Sequence, residues 1–97
     1  MFVEMLEANR KYAVANQLIR SGTSIGANVR EAQNAESRAD FIHKLKVAAK
    51  EAEETEYWLE ICQLSKSYPN CEELLLQVLS IKKVLSKIVA SSKLSTH

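Results

Sequence analysis

The acidic and histidine residues of one central segment are the first candidates for catalytic or metal chemistry. Asp40 and His43 have the three-residue spacing at which two helical side chains can share a metal ion. The same segment continues into five glutamates, which are Glu51, Glu53, Glu54, Glu56 and Glu60. A carboxylate-bridged two-metal bundle needs Glu-x-x-His motifs on two helices, and the sequence has none. We therefore interpret Asp40 as a helix cap beside a surface histidine, and we predict no metal, no cofactor and no catalytic residue.

Two other patterns that can indicate chemistry are weak in this chain. The segment 21–26, SGTSIG, has neither the GxxxxGK[ST] order of a phosphate-binding loop nor a strand before it. Cys62 and Cys71 have no CxxC spacing and no histidine neighbour, so a metal or disulfide site is not indicated. We expect Cys62 to fill an apolar helix face and Cys71 to lie beside a loop.

Composition favours a small all-α protein. The chain has 97 residues, of which 46% are hydrophobic, with two glycines and one proline, too few turn residues for an all-β domain. No apolar run of membrane-spanning length and no export signal occur, so we expect a cytoplasmic protein without a membrane partner. The formal net charge of +1 gives no overall attraction to nucleic acid, so electrostatic binding would need a local patch.

Apolar spacing and capping signals predict one domain, 1–97, with four helical segments. The clearest signal is an unbroken seven-residue repeat in the long central helix, formed by Phe41, Leu45, Ala48, Ala52, Thr55, Leu59 and Cys62. Ser37 with Asp40, and Asn70 with Glu73, resemble capping boxes. The predicted segments are a short first helix at 1–8, helices at 12–33, 37–64 and 70–91, and a frayed tail at 92–97. The last helix carries apolar residues at Leu74, Val78, Ile81, Leu85 and Ile88.

Two features of this plan raise questions of packing. Gly22 and Gly26 lie inside the second helix, where glycine costs about 1 kcal/mol relative to alanine. We expect a continuous helix whose glycines allow close approach of a neighbouring helix, the alternative being a break at that point.

The segment 1–8 spans only about 12 Å and cannot cover three long helices. Either the chain begins inside a longer first helix, or a partner subunit supplies the missing cover.

A second apolar patch on the long helix predicts self-association. Tyr57, Ile61 and Leu64 lie opposite the seven-residue repeat, with Trp58 on their flank. A helix with two opposed apolar faces often contacts its own core with one and another subunit with the other. The alternative is that Tyr57 and Trp58 pack under the loop at 65–70.

Charge is distributed unevenly along the same helix. Glutamates dominate its second half, whereas cations dominate its first half and the end of the last helix, where Lys93 also lies. The predicted nucleic-acid-binding residues are Arg30, Arg38, Lys44, Lys46, Lys50, Lys82, Lys83 and Lys87. If the last helix packs antiparallel, these cations form one basic end that can contact phosphates. The alternative is a solvated face whose charges complement the helix dipoles.

The residues at 20–45, RSGTSIGANVREAQNAESRADFIHKL, and at 50–60, KEAEETEYWLE, closely resemble a known bacterial family. Its members are four-helix bundle proteins encoded by intervening sequences within large-subunit ribosomal RNA genes. The resemblance implies an antiparallel up-and-down bundle and a homopentameric ring. The accessory protein of diversity-generating retroelements resembles this family in fold, and it binds nucleic acid through basic surfaces.

The family motif maps onto the glycine-bearing helix at Ser24, Gly26, Asn28 and Glu31, with no catalytic residue among them. Asn28 and Glu31 indicate either a structural hydrogen-bond network or a contact site. Together these observations predict a non-enzymatic, self-associating bundle with no small-molecule substrate. Its expected partner is RNA or a ribosome-related ribonucleoprotein. The alternative is an oligomeric scaffold that presents the glutamates to another protein without binding nucleic acid.

Overall fold

A computed structural model describes residues 2–8, 11–65 and 68–94, and every regular element among them is a helix. The elements are α1 (Phe2–Ala8), α2 (Tyr12–Gln33), α3 (Arg38–Leu64) and α4 (Glu72–Leu94). The predicted tail at 92–97 is helical as far as Leu94, and 95–97 lie outside the described residues. The molecule is an elongated body of 51 × 19 × 16 Å.

Side-chain caps fix the start of both long later helices. Ser37 accepts a hydrogen bond from the backbone N–H of Asp40 at 3.1 Å, which is the predicted cap of α3. Asn70 accepts one from the backbone N–H of Glu72 at 2.9 Å, ahead of α4. These bonds satisfy donors that the first turn of a helix leaves without partners, and they make both starts definite.

Helix α3 is the centre of the structure, because it packs against both α2 and α4 while α1 packs against α2. The predicted repeat of α3 faces this interior: every member except the half-buried Phe41 is buried. Contacts run in opposite order along the first pair of long helices. Arg20, in the first half of α2, pairs with Glu54 of α3, whereas Glu31, near the end of α2, pairs with Lys44.

One hydrogen bond crosses the interior between the two central helices. Thr55 and Ser21 are both buried, and their hydroxyl oxygens are 2.8 Å apart. Thr55 also donates to the backbone carbonyl of Glu51 at 2.9 Å, the usual partner for a threonine inside a helix. This polar contact fixes the facing positions of α2 and α3 in a core whose other residues are mainly aliphatic.

The glycines of α2 correct one expectation. The helix is continuous through Gly22 and Gly26, as predicted, but no neighbouring helix approaches them: a methyl group added at either position would meet no atom within 4 Å. Helix α3 packs against the adjacent face of α2, which carries Leu18 and Ser21. The cost of glycine in the helix is therefore not offset by any contact within the described chain.

Helix α4 also leaves part of its apolar stripe uncovered. Val78 and Leu85 are buried, whereas Ile81 and Ile88 are exposed. Because α1 has only seven residues, it covers one end of the bundle and stops there. The molecule thus presents apolar side chains along the remainder of α4.

Candidate nucleic-acid and subunit interfaces

A cationic groove lies between α3 and the last turns of α4. Lys46 and Lys50 of α3 line one side of it, and Lys93 of α4 lines the other. Its remaining wall residues are small or apolar and include Ala49, Val89 and Ala90, so the positive charges stand on an apolar surface. The groove has a volume of about 510 Å³. The charge pattern places Lys93 beside the basic half of α3, but Lys93 is not among the residues predicted to bind nucleic acid.

Lys46 and Lys93 interact directly across this groove. Lys93 lowers the pKa of Lys46, first through a hydrogen-bond contact between the two amines and second through charge repulsion. The positive charge of Lys93 makes it easier for Lys46 to lose its proton.

Arg38 extends the same cationic surface to the start of α3. Its guanidinium donates to the backbone carbonyl of Ser92 at 3.3 Å, which joins the start of α3 to the end of α4. Arg38, Phe41 and Ser92 line a shallow depression there. A cation at this position also complements the partial negative charge of the α4 C-terminus.

Two predicted binding lysines are engaged in ion pairs. Lys44 lies 3.1 Å from a carboxylate oxygen of Glu31, and Lys82 lies 2.5 Å from one of Glu56. The hydrogen bond that Lys82 donates to the Glu56 carboxylate raises the pKa of Lys82, so that lysine stays charged and paired. Since Glu56 belongs to the acidic half of α3, the expected grouping of Lys82 with the basic end is wrong.

The remaining predicted cations are exposed: Arg30 near the end of α2, and Lys83 and Lys87 on α4. None of the three lines the groove formed by Lys46, Lys50 and Lys93. The eight predicted residues therefore do not converge on a single pocket. Only Lys46 and Lys50 of the eight line the groove, together with Lys93.

The acidic half of α3 is partly neutralised within the chain. Arg20 of α2 pairs with Glu51 at 3.2 Å and also with Glu54. With Glu56 held by Lys82, three of the five glutamates have cationic partners from neighbouring helices. The exposed members of the group are Glu53 and Glu60.

The predicted subunit-contact residues form an apolar groove at the other end of α3. Tyr57, Ile61 and Leu64 line it together with Leu75 of α4, and its volume is about 400 Å³. Leu64 is 88% exposed and Tyr57 is 56% exposed, so both side chains stand in solvent in the single chain.

Trp58 has a different environment from the rest of that patch. It packs partly against the core, and its indole N–H donates to a carboxylate oxygen of Glu54 at 3.4 Å. Its ring also meets the Tyr57 ring edge-on, with 5.3 Å between centroids. The sequence alternative has both aromatic residues packing under the loop at 65–70. Tyr57 is exposed and does not pack in this way. Positions 66–67 of that loop lie outside the described residues.

The family-motif residues of α2 make local polar contacts. The side-chain amide of Asn28 donates to the backbone carbonyl of Ser24 at 2.9 Å and contacts its hydroxyl at 3.2 Å. Glu31 pairs with Lys44 of α3, as described above. Gly26 lies on the exposed face of the same helix. The Asn28 contacts stay within α2, whereas the Glu31–Lys44 ion pair joins α2 to the first half of α3.

The two thiols are buried in the core. Burial, followed by the neighbouring Cys71, raises the pKa of Cys62 to about 11. Cys71 donates to the backbone carbonyl of Leu59 at 3.1 Å, and burial raises its pKa as well. A nucleophilic cysteine needs the opposite shift, because the thiolate is the reactive form. Among the residues that the structure describes, no three potential ligands are grouped to hold a metal ion.

None of α1 to α4, over the residues described, combines the length and apolar character required to cross a membrane.

Comparisons with known proteins identify the family. The family model of the 23S rRNA-intervening sequence protein matches residues 2–87. A crystal structure from Bacteroides thetaiotaomicron, of a protein of unknown function from the S23 ribosomal protein family, is 44% identical in sequence. The match covers 90% of this chain and 83% of that chain, with a TM-score of 0.84. No significant match was found among curated proteins. The extent of the family match shows that this chain belongs to the 23S rRNA-intervening sequence protein family.

Proposed function

We propose that the protein is a non-enzymatic, self-associating helical bundle that binds RNA, or a ribosome-related ribonucleoprotein, through its cationic groove. The observation that supports RNA binding most strongly is the groove itself. Lys46, Lys50 and Lys93 converge on one surface in a chain whose formal net charge is only +1. Phosphate contacts by lysine supply most of the affinity in sequence-independent nucleic-acid binding.

The first partner to test is ribosomal RNA. The family is named for an intervening sequence of 23S rRNA, and the Bacteroides neighbour is described as belonging to a ribosomal protein family. Neither name specifies a binding activity. A cytoplasmic location, where ribosomal RNA is found, forms part of the proposal.

Self-association is supported by the apolar side chains left uncovered in the single chain. Tyr57 and Leu64 are exposed at the end of α3, and Ile81 and Ile88 are exposed on α4. Exposed apolar patches of this kind commonly mark contacts with another protein, and aromatic residues often anchor such contacts. We propose a symmetric assembly of antiparallel, up-and-down bundles, with a ring of five as the arrangement that the family resemblance implies. Repetition of the cationic groove around a ring would strengthen RNA binding through multivalency.

A non-enzymatic role agrees with the chemistry of the described side chains. The buried thiols have raised pKa values. His43 lies in the exposed first turns of α3, and the glutamates of α3 take part in ion pairs or face solvent. General acid–base or nucleophilic catalysis usually needs a pair of such groups within hydrogen-bond reach in a cleft.

The test compares two charge reversals in an RNA-binding assay at low salt. Lys46→Glu with Lys50→Glu changes the groove, and Lys83→Glu with Lys87→Glu makes the same charge change on exposed α4 residues. We expect the groove variant to weaken binding of a fluorescent 23S rRNA fragment by at least tenfold, or about 1.4 kcal/mol, and the α4 variant to weaken it much less. Circular dichroism checks that both variants remain helical.

Two results would contradict the RNA proposal. Equal losses in the two variants would mean that binding responds to net charge and does not use the groove. No binding by the unaltered protein, together with an absorbance ratio showing no copurified nucleic acid, would leave the second candidate function. That candidate is an oligomeric protein scaffold, which the apolar groove of Tyr57, Ile61 and Leu64 beside the exposed Glu60 favours. It predicts assembly that is insensitive to salt.

A further inference from the structure

The side of α4 that faces α1 continues past α1 as an uncovered apolar stripe. Phe2 of α1 lines a depression together with Leu74 of α4, so this side of α4 faces α1. Ile81 and Ile88 follow Leu74 at spacings of seven residues, and positions seven apart lie on the same side of a helix. Val84 lies between them in the same stripe. All three side chains beyond α1 are exposed, with Val84 at 56%.

Helix α2 supplies the opposite wall of the same open space. Ala15 of α2 is fully buried in the core cluster that contains Phe2 and Leu6 of α1. Gly22 lies seven residues after Ala15, and Gly26 lies one turn further. A methyl group added at either glycine would meet no atom of the described chain within 4 Å. An open slot therefore runs between α2 and α4, in line with α1.

We propose that α4 of a second copy of this chain fills this slot, antiparallel to α4 of the first copy. The first α4 fills the slot of the second copy in the same way, so the contact has two-fold symmetry. Val84 lies at its centre and faces Val84 of the second copy, and Ile81 faces Ile88 of the second copy. The inference rests on the self-association that is part of the proposed function.

Charge and residue order favour a second copy as the occupant. The positions along the stripe, 77, 81, 84, 88 and 91, are Gln, Ile, Val, Ile and Ser, so two copies that meet there bring no like charges together. The exposed Lys83 and Lys87 lie outside the stripe. The order of residue types is nearly the same in both directions about Val84, which is the self-complementarity that a two-fold contact requires.

The slot is a different surface from the apolar groove of Tyr57, Ile61 and Leu64, which lies between α3 and α4. Contacts through the two surfaces do not exclude one another. A two-fold contact joins equal halves, so the slot pairs either two single chains or two rings.

Cysteine cross-linking tests the position of the second copy. Under copper–phenanthroline oxidation we expect Val84→Cys to form a disulfide-linked dimer, because the two-fold contact places this position against itself within the short Cα separation that a disulfide needs. Lys83→Cys, at the adjacent exposed position, is the matched control and should remain largely uncross-linked. The natural thiols, Cys62 and Cys71, are buried and do not interfere. Equal cross-linking of the two variants would overturn the proposal.

Maleimide labelling of Val84→Cys identifies other occupants. Protection of this thiol in protein that does not cross-link would mean that a helix from outside this chain, or another protein, fills the slot. Rapid labelling of the assembled protein would mean that the slot is open to solvent. Either result would overturn the proposal.

A charge at the centre of the contact provides the second test. Val84→Asp should halve the mass measured by light scattering, at a concentration where the unaltered protein is assembled, because two carboxylates then face each other across the two-fold axis. Lys83→Asp makes a larger change in charge at the next residue and should leave the mass unaltered. Both positions are exposed, so both variants are expected to fold, and circular dichroism verifies this.

The measured masses separate the slot from the proposed function. An assembly whose mass is the same with and without Val84→Asp would overturn the slot contact and leave self-association in place. A single-chain mass for the unaltered protein would contradict both self-association and the slot contact. A halved mass in Val84→Asp alone would support the second copy as the occupant.

Discussion

The two ends of the bundle differ in how much core they contain. At the end covered by α1, ten buried side chains form one cluster: Phe2, Leu6, Val14, Ala15, Leu18, Ala52, Leu59, Cys62, Cys71 and Val78. At the opposite end the second cluster has four, which are Ala32, Leu45, Ala48 and Leu85. The cationic groove lies at the end with the smaller core. The comparison indicates that stability comes mainly from the α1 end, whereas the other end offers a charged surface.

The largest expected difference between the two ends comes from removing a buried leucine. Leu59 and Leu45 are both on α3 and are almost equally buried, but Leu59 belongs to the larger cluster. We expect Leu59→Ala to lower the free energy of unfolding by about 4 kcal/mol and Leu45→Ala by about 2 kcal/mol, because a rigid, well-packed site collapses less around a cavity. Urea unfolding measures both losses. Equal losses would mean that the two ends are equally well packed.

Alkaline pH should destabilise the α1 end selectively. Burial raises the pKa of Cys62 from 9.0 to about 11. As the pH rises, the unfolded state therefore loses the Cys62 proton before the folded state does. The contribution of this shift to the free energy of unfolding is complete below pH 9 and is lost as the pH rises to about 11. We expect a decrease of about 2 kcal/mol over this range.

Cys62→Ala is the matched variant for the pH experiment. It should be less stable than the unaltered protein by about 1 kcal/mol at neutral pH, since it removes a buried sulfur, and it should lose stability less steeply above pH 9. A pH profile that is unchanged in this variant would contradict the assignment to Cys62. The smaller cluster contains no thiol, so its substitutions should leave the alkaline slope unaltered.

The exposed glycines of α2 provide a smaller effect that depends on assembly. Each of Gly22→Ala and Gly26→Ala should stabilise the isolated chain by about 1 kcal/mol, because alanine favours a helix and the added methyl group meets no atom. In an assembly whose partner contacts this face, the same substitutions should weaken association. Thermal unfolding at low protein concentration measures the stabilisation of the isolated chain, and thermal unfolding at high concentration measures the loss of association. Destabilisation at every concentration would show that the face is covered within the chain.

The smallest expected effect concerns the ion pair in the middle of the bundle. Lys82→Met removes the partner of Glu56 and should cost about 0.5–1 kcal/mol, because the pair is only partly buried. Glu56 raises the pKa of Lys82, so the contribution is complete below the ordinary lysine pKa of 10.5 and disappears as pH rises through the raised value. Lys83→Met, at a neighbouring exposed position, is the control and should change stability by no more than a few tenths of a kcal/mol. Equal changes in the stability of the two variants would mean that the Lys82–Glu56 ion pair does not stabilise the protein.

Sequence periodicity predicted the helices well because they are set by local signals. The repeat from Phe41 to Cys62 identified the buried face of α3, and Ser37 identified its cap. The apolar spacing of α4 did not reveal that Ile81 and Ile88 are exposed in the single chain. Periodicity identifies an apolar face, but the element that covers the face is a matter of tertiary packing.

The cationic site could be predicted only in part for a similar reason. Lys46 and Lys50 were identified from the charge pattern of α3, but Lys44 and Lys82 were placed in the same patch although both are ion-paired across helices. Cross-helix pairs depend on how α2 and α4 are rotated about their own axes. A one-dimensional charge pattern carries no information on that rotation.

We propose that copies of this chain cover one another's apolar surfaces. Light scattering during gel filtration tests it most directly, with Ile61→Asp as the variant that places a charge in the apolar groove of α3. We expect the unaltered protein to elute at a multiple of its 10.9 kDa mass, five times that mass if the assembly is the proposed ring, and Ile61→Asp to elute at a lower mass. A mass of 10.9 kDa for the unaltered protein at high concentration would contradict the account.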